Sequence, residues 1–168
     1  KGDVPMNYKM IEMKELTVAG IKKTMNLVNG DEDFYGIMRM WSALTEDTAA
    51  PIMPLSNGAI GELIGVSANN NGRTFDYYIG CTTEEMSVPG LEVLHIPAAT
   101  WGVFEVTGAL PDSMINTWKR IFTEWFPSSG YESLPLPTIE VYSEGDSGAD
   151  DYHSELWTPV AKMKPLNP

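Results

Sequence analysis

One pattern of strand, helical stripe and strand pair occurs twice along this chain, and a duplication of that kind restricts the fold more than any other feature. Phe75 to Gly80 read FDYYIG and Asp150 to Glu155 read DDYHSE, so Asp76 and Tyr77 match Asp151 and Tyr152. Farther back, ELTVAGI from Glu15 resembles HIPAATWGV from His95, with Gly20 opposite Gly102. Between these lie two apolar stripes at helical spacing. Phe34, Ile37, Met38, Trp41 and Leu44 form the first; Met114, Ile115, Trp118, Ile121, Phe122 and Trp125 form the second. Pro111 and Asp112 suit a helix start. Each half therefore reads β-α-β-β. Two copies longer than solenoid units point to duplication within one fold.

The chain predicts a strand region over about 8–25 and a helix over about 33–46. A hairpin of strands follows, over about 59–68 and 74–82. Asn69, Asn70, Asn71 and Gly72 mark its turn. After Pro89-Gly90 the order repeats: strand region 91–107, helix 111–126, strands 138–143 and 152–161. The tail from Lys162 is expected to fray. The prediction is an α+β fold: duplicated β-α-β-β units with pseudo-twofold symmetry, an antiparallel sheet and two main helices forming a ligand cleft. It is one domain, with repeats over about 8–88 and 91–162.

With 168 residues, 43% hydrophobic and including 5 Trp, 7 Tyr and 5 Phe, the chain can fill one sizeable core. No apolar run is long enough to span a membrane and no secretory signal is seen. The single cysteine, Cys81, cannot form an internal disulfide, so a cytoplasmic location is expected. The sequence opens on Lys1 rather than Met, which reads as a piece of something longer.

A net charge of −12 with no basic stripe argues against direct nucleic-acid binding by this chain. The acidity reads first as a solvated surface. It also fits attraction of cations, or mimicry of nucleic-acid charge toward a partner enzyme. Catalytic signals are poor. His95 and His153 lack partners at metal-ligand spacing, and no phosphate-cradling loop appears. No metal or cofactor is expected.

An acid inside a strand needs a reason, because a covered carboxylate must find a partner or a proton. Glu155 stands in such a run, SELWTPV, and its counterpart in the first repeat, Gly80, leaves space beside it. A bulky cation suits that arrangement. Tyr78 and His153 lie two residues before Gly80 and Glu155, so alternation sends each to the same face as its follower. Trp41, Trp118 and Met38 lie on the helical stripes, where packing is their first role and stacking on a ligand a second. Trp101, matched by Ala19, breaks the repeat and fits a ligand-facing role. Tyr142 completes the candidate set.

The run IPAATWGVFEVTGALPDSMINTWKRIFTEWFPSSGYE, followed by PTIEVYSEGDSGADDYHSELWTPV, resembles the gyrase-inhibitor-like, or AraC-type effector-binding, domain. The resemblance covers about 8–162. Its most specific pieces are Trp101 to Glu105, Glu124 to Ser128, Glu140 to Tyr142 and Ser154 to Trp157. The opening KGDVPMNY resembles the connector after the paired helix-turn-helix units of AraC-type regulators. The resemblance implies two β-α-β-β units about a pseudo-twofold axis, with a ligand cleft between the helices. Drug-sensing members place an acid there, and Glu155 matches it. The expected function is a small-molecule effector-binding domain, for a lipophilic or cationic ligand, of an AraC-type transcription regulator. DNA would be reached only through a helix-turn-helix segment absent from this chain, and a homodimer is compatible with the sequence. The resemblance also implies two alternatives: a hydrolase of reactive cyclopropane-type toxins, with Glu155 as general base, or a protein inhibitor of DNA gyrase.

Overall fold

The computed structural model describes residues 5–165. The end of the tail expected to fray, and the first residues of the connector-like opening, lie outside them. Among the described residues, nine strands form one antiparallel sheet. They are β1 (Tyr8–Met13), β2 (Leu16–Asn26), β3 (Ile64–Ala68), β4 (Thr74–Thr82), β5 (Glu92–Ile96), β6 (Ala99–Thr107), β7 (Tyr131–Ser133), β8 (Thr138–Tyr142) and β9 (His153–Lys162). The main helices are α1 (Phe34–Ser42) in the first half and α3 (Asp112–Arg120) in the second. A short α2 (Glu46–Ala49) follows α1.

The sheet order is β1-β6-β9-β8-β3-β4-β2-β5, with β7 added beside β9. Its centre is the β3–β8 seam, where Gly65 stands opposite Glu140. Outward from the seam, each side runs through the two strands that follow a helix, then the strand that precedes it. This is the order that a twofold axis through the seam generates.

The edges correct the expected β-α-β-β unit. Each half carries one more strand, and these are exchanged. β1 belongs to the first half yet pairs with β6 of the second, while β5 belongs to the second and pairs with β2 of the first. The chain therefore breaks at Lys14-Glu15 and again at Pro97-Ala98, where the sequence pattern predicts continuous strand. Pro97 lacks the N–H that a continuing ladder requires. β7 also escaped the sequence pattern, being only three residues long.

Alternation gives the sheet two buried faces. On one, Val66, Tyr78, Trp101, Val103, Ile139 and Trp157 pack together with Val18 and Ile64. The helices cover the other. Under α1 lie Phe75, Tyr77 and Ile79; under α3 lie Phe104, Leu156 and Val160. Phe34 packs against both of these clusters and so joins the halves. Asp33 caps α1, its carboxylate accepting from the Gly36 N–H at 3.0 Å. After Arg120 the second helix widens into a π turn, Ile121–Trp125, then ends in α4 (Phe126–Ser129), with Pro127 in the first turn where its missing N–H is tolerated.

Gly20 and Gly80 face each other across β2 and β4. A Cβ at Gly20 would lie 2.2 Å from the Ile79 carbonyl oxygen and 2.6 Å from the Gly80 Cα. Gly20 shares its face with Val18, whereas Gly102 shares the opposite face with Phe104. The expected one-to-one match of Gly20 with Gly102 is therefore shifted in register. Gly20→Ala forces the β2 and β4 backbones apart. It should cost on the order of 2 kcal/mol in urea denaturation, with the midpoint lowered and the slope retained.

Candidate functional site

The seam carries an acid where the sheet is best covered. β8 reads TIEVY, with Ile139 and Val141 in the face away from the helices, so Glu140 and Tyr142 point to the helix face. Glu140 is 3% exposed. Opposite it, Gly65 has no side chain, and that gap is filled from the next strand. A Cβ on Gly65 would fall 1.9 Å from the Tyr77 hydroxyl and 3.3 Å from Oε1 of Glu140. The Tyr77 hydroxyl donates to Oε1 of Glu140 at 2.8 Å, and accepts from Nε1 of Trp41 in α1, also at 2.8 Å. One chain of donors thus ties helix, strand and acid together.

The second carboxyl oxygen of Glu140 has no hydrogen-bond partner. The Tyr142 hydroxyl faces the same carboxyl but completes no hydrogen bond, and the Ser154 and Thr158 hydroxyls on the same face of β9 are also unpartnered. The Trp41 and Tyr142 rings meet edge to face, 5.2 Å between centroids. Phe34 and Met38 of α1 continue this wall on one side. On the other, Trp118 stacks on the half-exposed Phe122 at 5.6 Å. The result is a deep carboxyl on the helix face, with Trp41 of the first half and Tyr142 of the second beside it.

A second acid stands nearby. Glu32, in the turn before α1, is half-buried beside the Ser67 hydroxyl. Burial pushes its carboxyl up from the usual range. Burial also pushes Glu140 up to about 7, with the negative charge of Glu32 adding to the shift and the Tyr77 hydroxyl opposing it. Tyr77 and Tyr142 are both driven well above their ordinary range, burial first and the charge of Glu140 second, so both hydroxyls keep their protons.

The predicted site residues divide between the two faces. Trp41, Met38, Tyr142 and Trp118 lie on the same helix-covered face as Glu140. Tyr78, Trp101 and Glu155 lie on the other. Trp101 is fully buried against Trp157, 6.2 Å between ring centroids. Tyr78 packs in the same cluster. Glu155 sits opposite Glu105 in the β6–β9 register, beside a hollow of about 70 Å³ shared with Asn7 and Lys9. That volume is far below the few hundred Å³ that hold a drug-sized ligand. His153, exposed at the start of β9, lies 3.4 Å from the Thr107 hydroxyl. Glu140, not Glu155, is therefore the strand acid on the face that the helices cover. A wider trough of about 460 Å³, near Met10, Glu12, Tyr131 and Lys162, contains none of the predicted residues. Glu140, Tyr77, Glu32 and Ser67 are not among the candidate site residues read from the sequence, although Tyr77 stands in the repeat and Glu140 in the family-like run. The signal for Glu140 was present, since it too is an acid inside an apolar strand. Among the described residues no three His, Cys, Asp or Glu side chains converge as a metal site.

The model of the GyrI-like small molecule binding domain matches residues 6–161. The chain belongs to the GyrI-like family. Solved structures agree with that fold. SAV2435 bound to tetraphenylphosphonium superposes with a TM-score of 0.78 at 22% identity, over 93% of this chain and 94% of that one. A putative bacterial transcription regulation protein from Staphylococcus aureus MU50 gives 0.74 at 22% identity, over 93% and 99%. The C-terminal domain of EcmrR gives 0.64 at 15%, over 95% and 100%. No protein of curated function matches the chain in sequence. In this GyrI-like domain, no helix among the described residues is long and apolar enough to cross a membrane.

The buried acid ties stability to pH. The folded state holds the Glu140 proton up to about 7, while an unfolded chain releases it near 4.5. Between those values the native state binds more protons, so stability falls as pH rises. Glu32 shifts in the same direction. The unliganded protein should lose roughly 3 kcal/mol across that window, and Glu140→Gln should flatten most of the decline in denaturation curves recorded at several pH values.

Proposed function

We propose that this GyrI-like domain is the effector-binding domain of a transcription regulator and that its ligands are lipophilic aromatic cations. The observation that carries this reading is Glu140, buried on the helix face with one carboxyl oxygen unpartnered and with Trp41 of one half and Tyr142 of the other meeting beside it. A buried carboxylate without a counter-charge is costly. A cation supplies that charge where screening is weak, and the rings of Trp41, Tyr142 and Phe34 supply apolar and cation–π contact. Likeness of fold to a protein holding tetraphenylphosphonium, and to the C-terminal domain of EcmrR, supports the reading.

Signalling follows from the seam. α1 and Tyr77 come from the first half, Glu140 and Tyr142 from the second. A ligand held by both shifts the domain toward the arrangement that binds it better, and an attached DNA-binding segment of the AraC type would respond to the change.

The same acid suits hydrolysis, since a carboxyl near 7 can take a proton from water. The two readings part on one point: a sensor returns its ligand unchanged, whereas a hydrolase consumes it.

Tryptophan fluorescence titration tests the sensing reading, because Trp41 bonds directly to the Tyr77–Glu140 pair. Glu140→Gln keeps the shape and removes the charge. It should weaken tetraphenylphosphonium at least about tenfold while changing the neutral triphenylphosphine oxide less than about twofold. Cation affinity of the native protein should rise as pH passes upward through about 7. Equal losses for both ligands, or none for the cation, would overturn the reading.

A further inference from the structure

We infer that the cleft selects ligands carrying two positive centres on one aromatic body, with Glu140 holding one centre and Glu32 the other. The inference rests on the cation-binding reading and adds to it a ligand class and a second binding residue.

The geometry is set by β3. Gly65 and Ser67 are successive residues on its helix face, two positions apart and therefore about 7 Å apart. The carboxyl of Glu140 lies over Gly65. The carboxyl of Glu32 lies at Ser67. Two acids from different halves thus sit along one strand, separated by roughly the width of a benzene ring with its substituents. Phe34, two residues after Glu32, packs on both helix-face clusters and so lies where the two halves meet.

Neither acid has a counter-ion. The ion pairs among the described residues join Lys22 to Glu92, Arg39 to Asp33 and Arg120 to Glu124, and none reaches Glu32 or Glu140. The groups that face the two carboxyls are the hydroxyls of Tyr77, Tyr142 and Ser67. A hydroxyl can donate to an anion but cannot neutralise it. Oε2 of Glu140, buried and unpartnered, is the oxygen left for a ligand. Two acids in a poorly screened cleft repel each other, and each raises the cost of ionising the other. A single cation relieves one of them and leaves the other uncompensated. A dication relieves both, so it gains from the repulsion that penalises the empty site.

Paired probes of matched shape test this. Benzyltrimethylammonium carries one charge on a benzene ring. Its para-bis(trimethylammoniomethyl) counterpart carries two, about one strand repeat apart. Calorimetric titration at a pH above 7 should show the dication binding about tenfold tighter, beyond the twofold that its two equivalent ends supply. Glu32→Gln should abolish that advantage and weaken the dication several-fold more than the monocation. Glu32→Asp, which keeps the charge, should restore part of it. An absent advantage in the native protein, or equal weakening of both probes by Glu32→Gln, would overturn the inference. Tetraphenylphosphonium, run alongside on native protein and Glu140→Gln, separates the two failures. If it stays sensitive to Glu140→Gln while the dication gains nothing, the cation reading stands and the two-acid inference falls. If no cation binds, both fall.

Discussion

The hydrogen-bonded line from Trp41 through Tyr77 to Glu140 is the interaction on which the site depends. It crosses from a helix of one half to a strand of the other, and it fixes one carboxyl oxygen while leaving the second open. The line exists because Gly65 has no side chain: its missing Cβ is the space in which the Tyr77 hydroxyl and the Glu140 carboxyl meet. The glycine therefore shapes the site without touching a ligand. It also lies opposite Glu140 at the centre of the sheet, so the acid cannot move without disturbing the pairing that joins the halves.

The exchanged edge strands tie the two halves together around the seam that holds the buried acid. β1 and β5 each pair with the other half, so the halves are tied at both edges as well as at the centre. The aromatic core on the face away from the helices, with Trp101 and Trp157 at its middle, fills the other side of the sheet. One face is devoted to packing and the other combines packing with a polar floor. Hydroxyls of Tyr142, Ser154 and Thr158, buried there without partners, mark the helix face as the polar one.

Much of this was legible in the sequence, and the failures have a common cause. The two helical stripes and the Asn-rich hairpin appear where the pattern places them, because each depends on local spacing and turn chemistry. Trp41, Trp118, Met38 and Tyr142 lie on the helix-covered face, since a helical stripe must face the sheet and Tyr142 shares its side. Alternation grouped Tyr78, His153 and Glu155 together, and they do share a face. What alternation could not give is which face the helices cover. The rule that an acid in a strand needs a reason applied equally to Glu140, and the choice of Glu155 put the acid on the wrong side for a cleft between the helices. Trp101 was drawn in by its break of the repeat, a break that packing against Trp157 explains. Glu32 left no periodic signal, because it lies in a turn and its burial arises only when α1 folds back over β3. The splits at Lys14-Glu15 and Pro97-Ala98 were hidden for a similar reason: strand propensity continues across them while the pairing partner changes.

The central claim is that Glu140 keeps a proton while the site is empty and releases it to solvent when a cationic ligand binds beside the carboxylate. Infrared difference spectroscopy reads this directly. Spectra of the native protein and of Glu140→Gln are compared just below the value of about 7 set by burial, with and without tetraphenylphosphonium. The account predicts a protonated-carboxyl C=O band in the empty native protein that is missing from the Gln variant, and that is replaced by carboxylate bands when the cation binds. An empty native protein without that band, or a band that survives saturation with the cation, would contradict it.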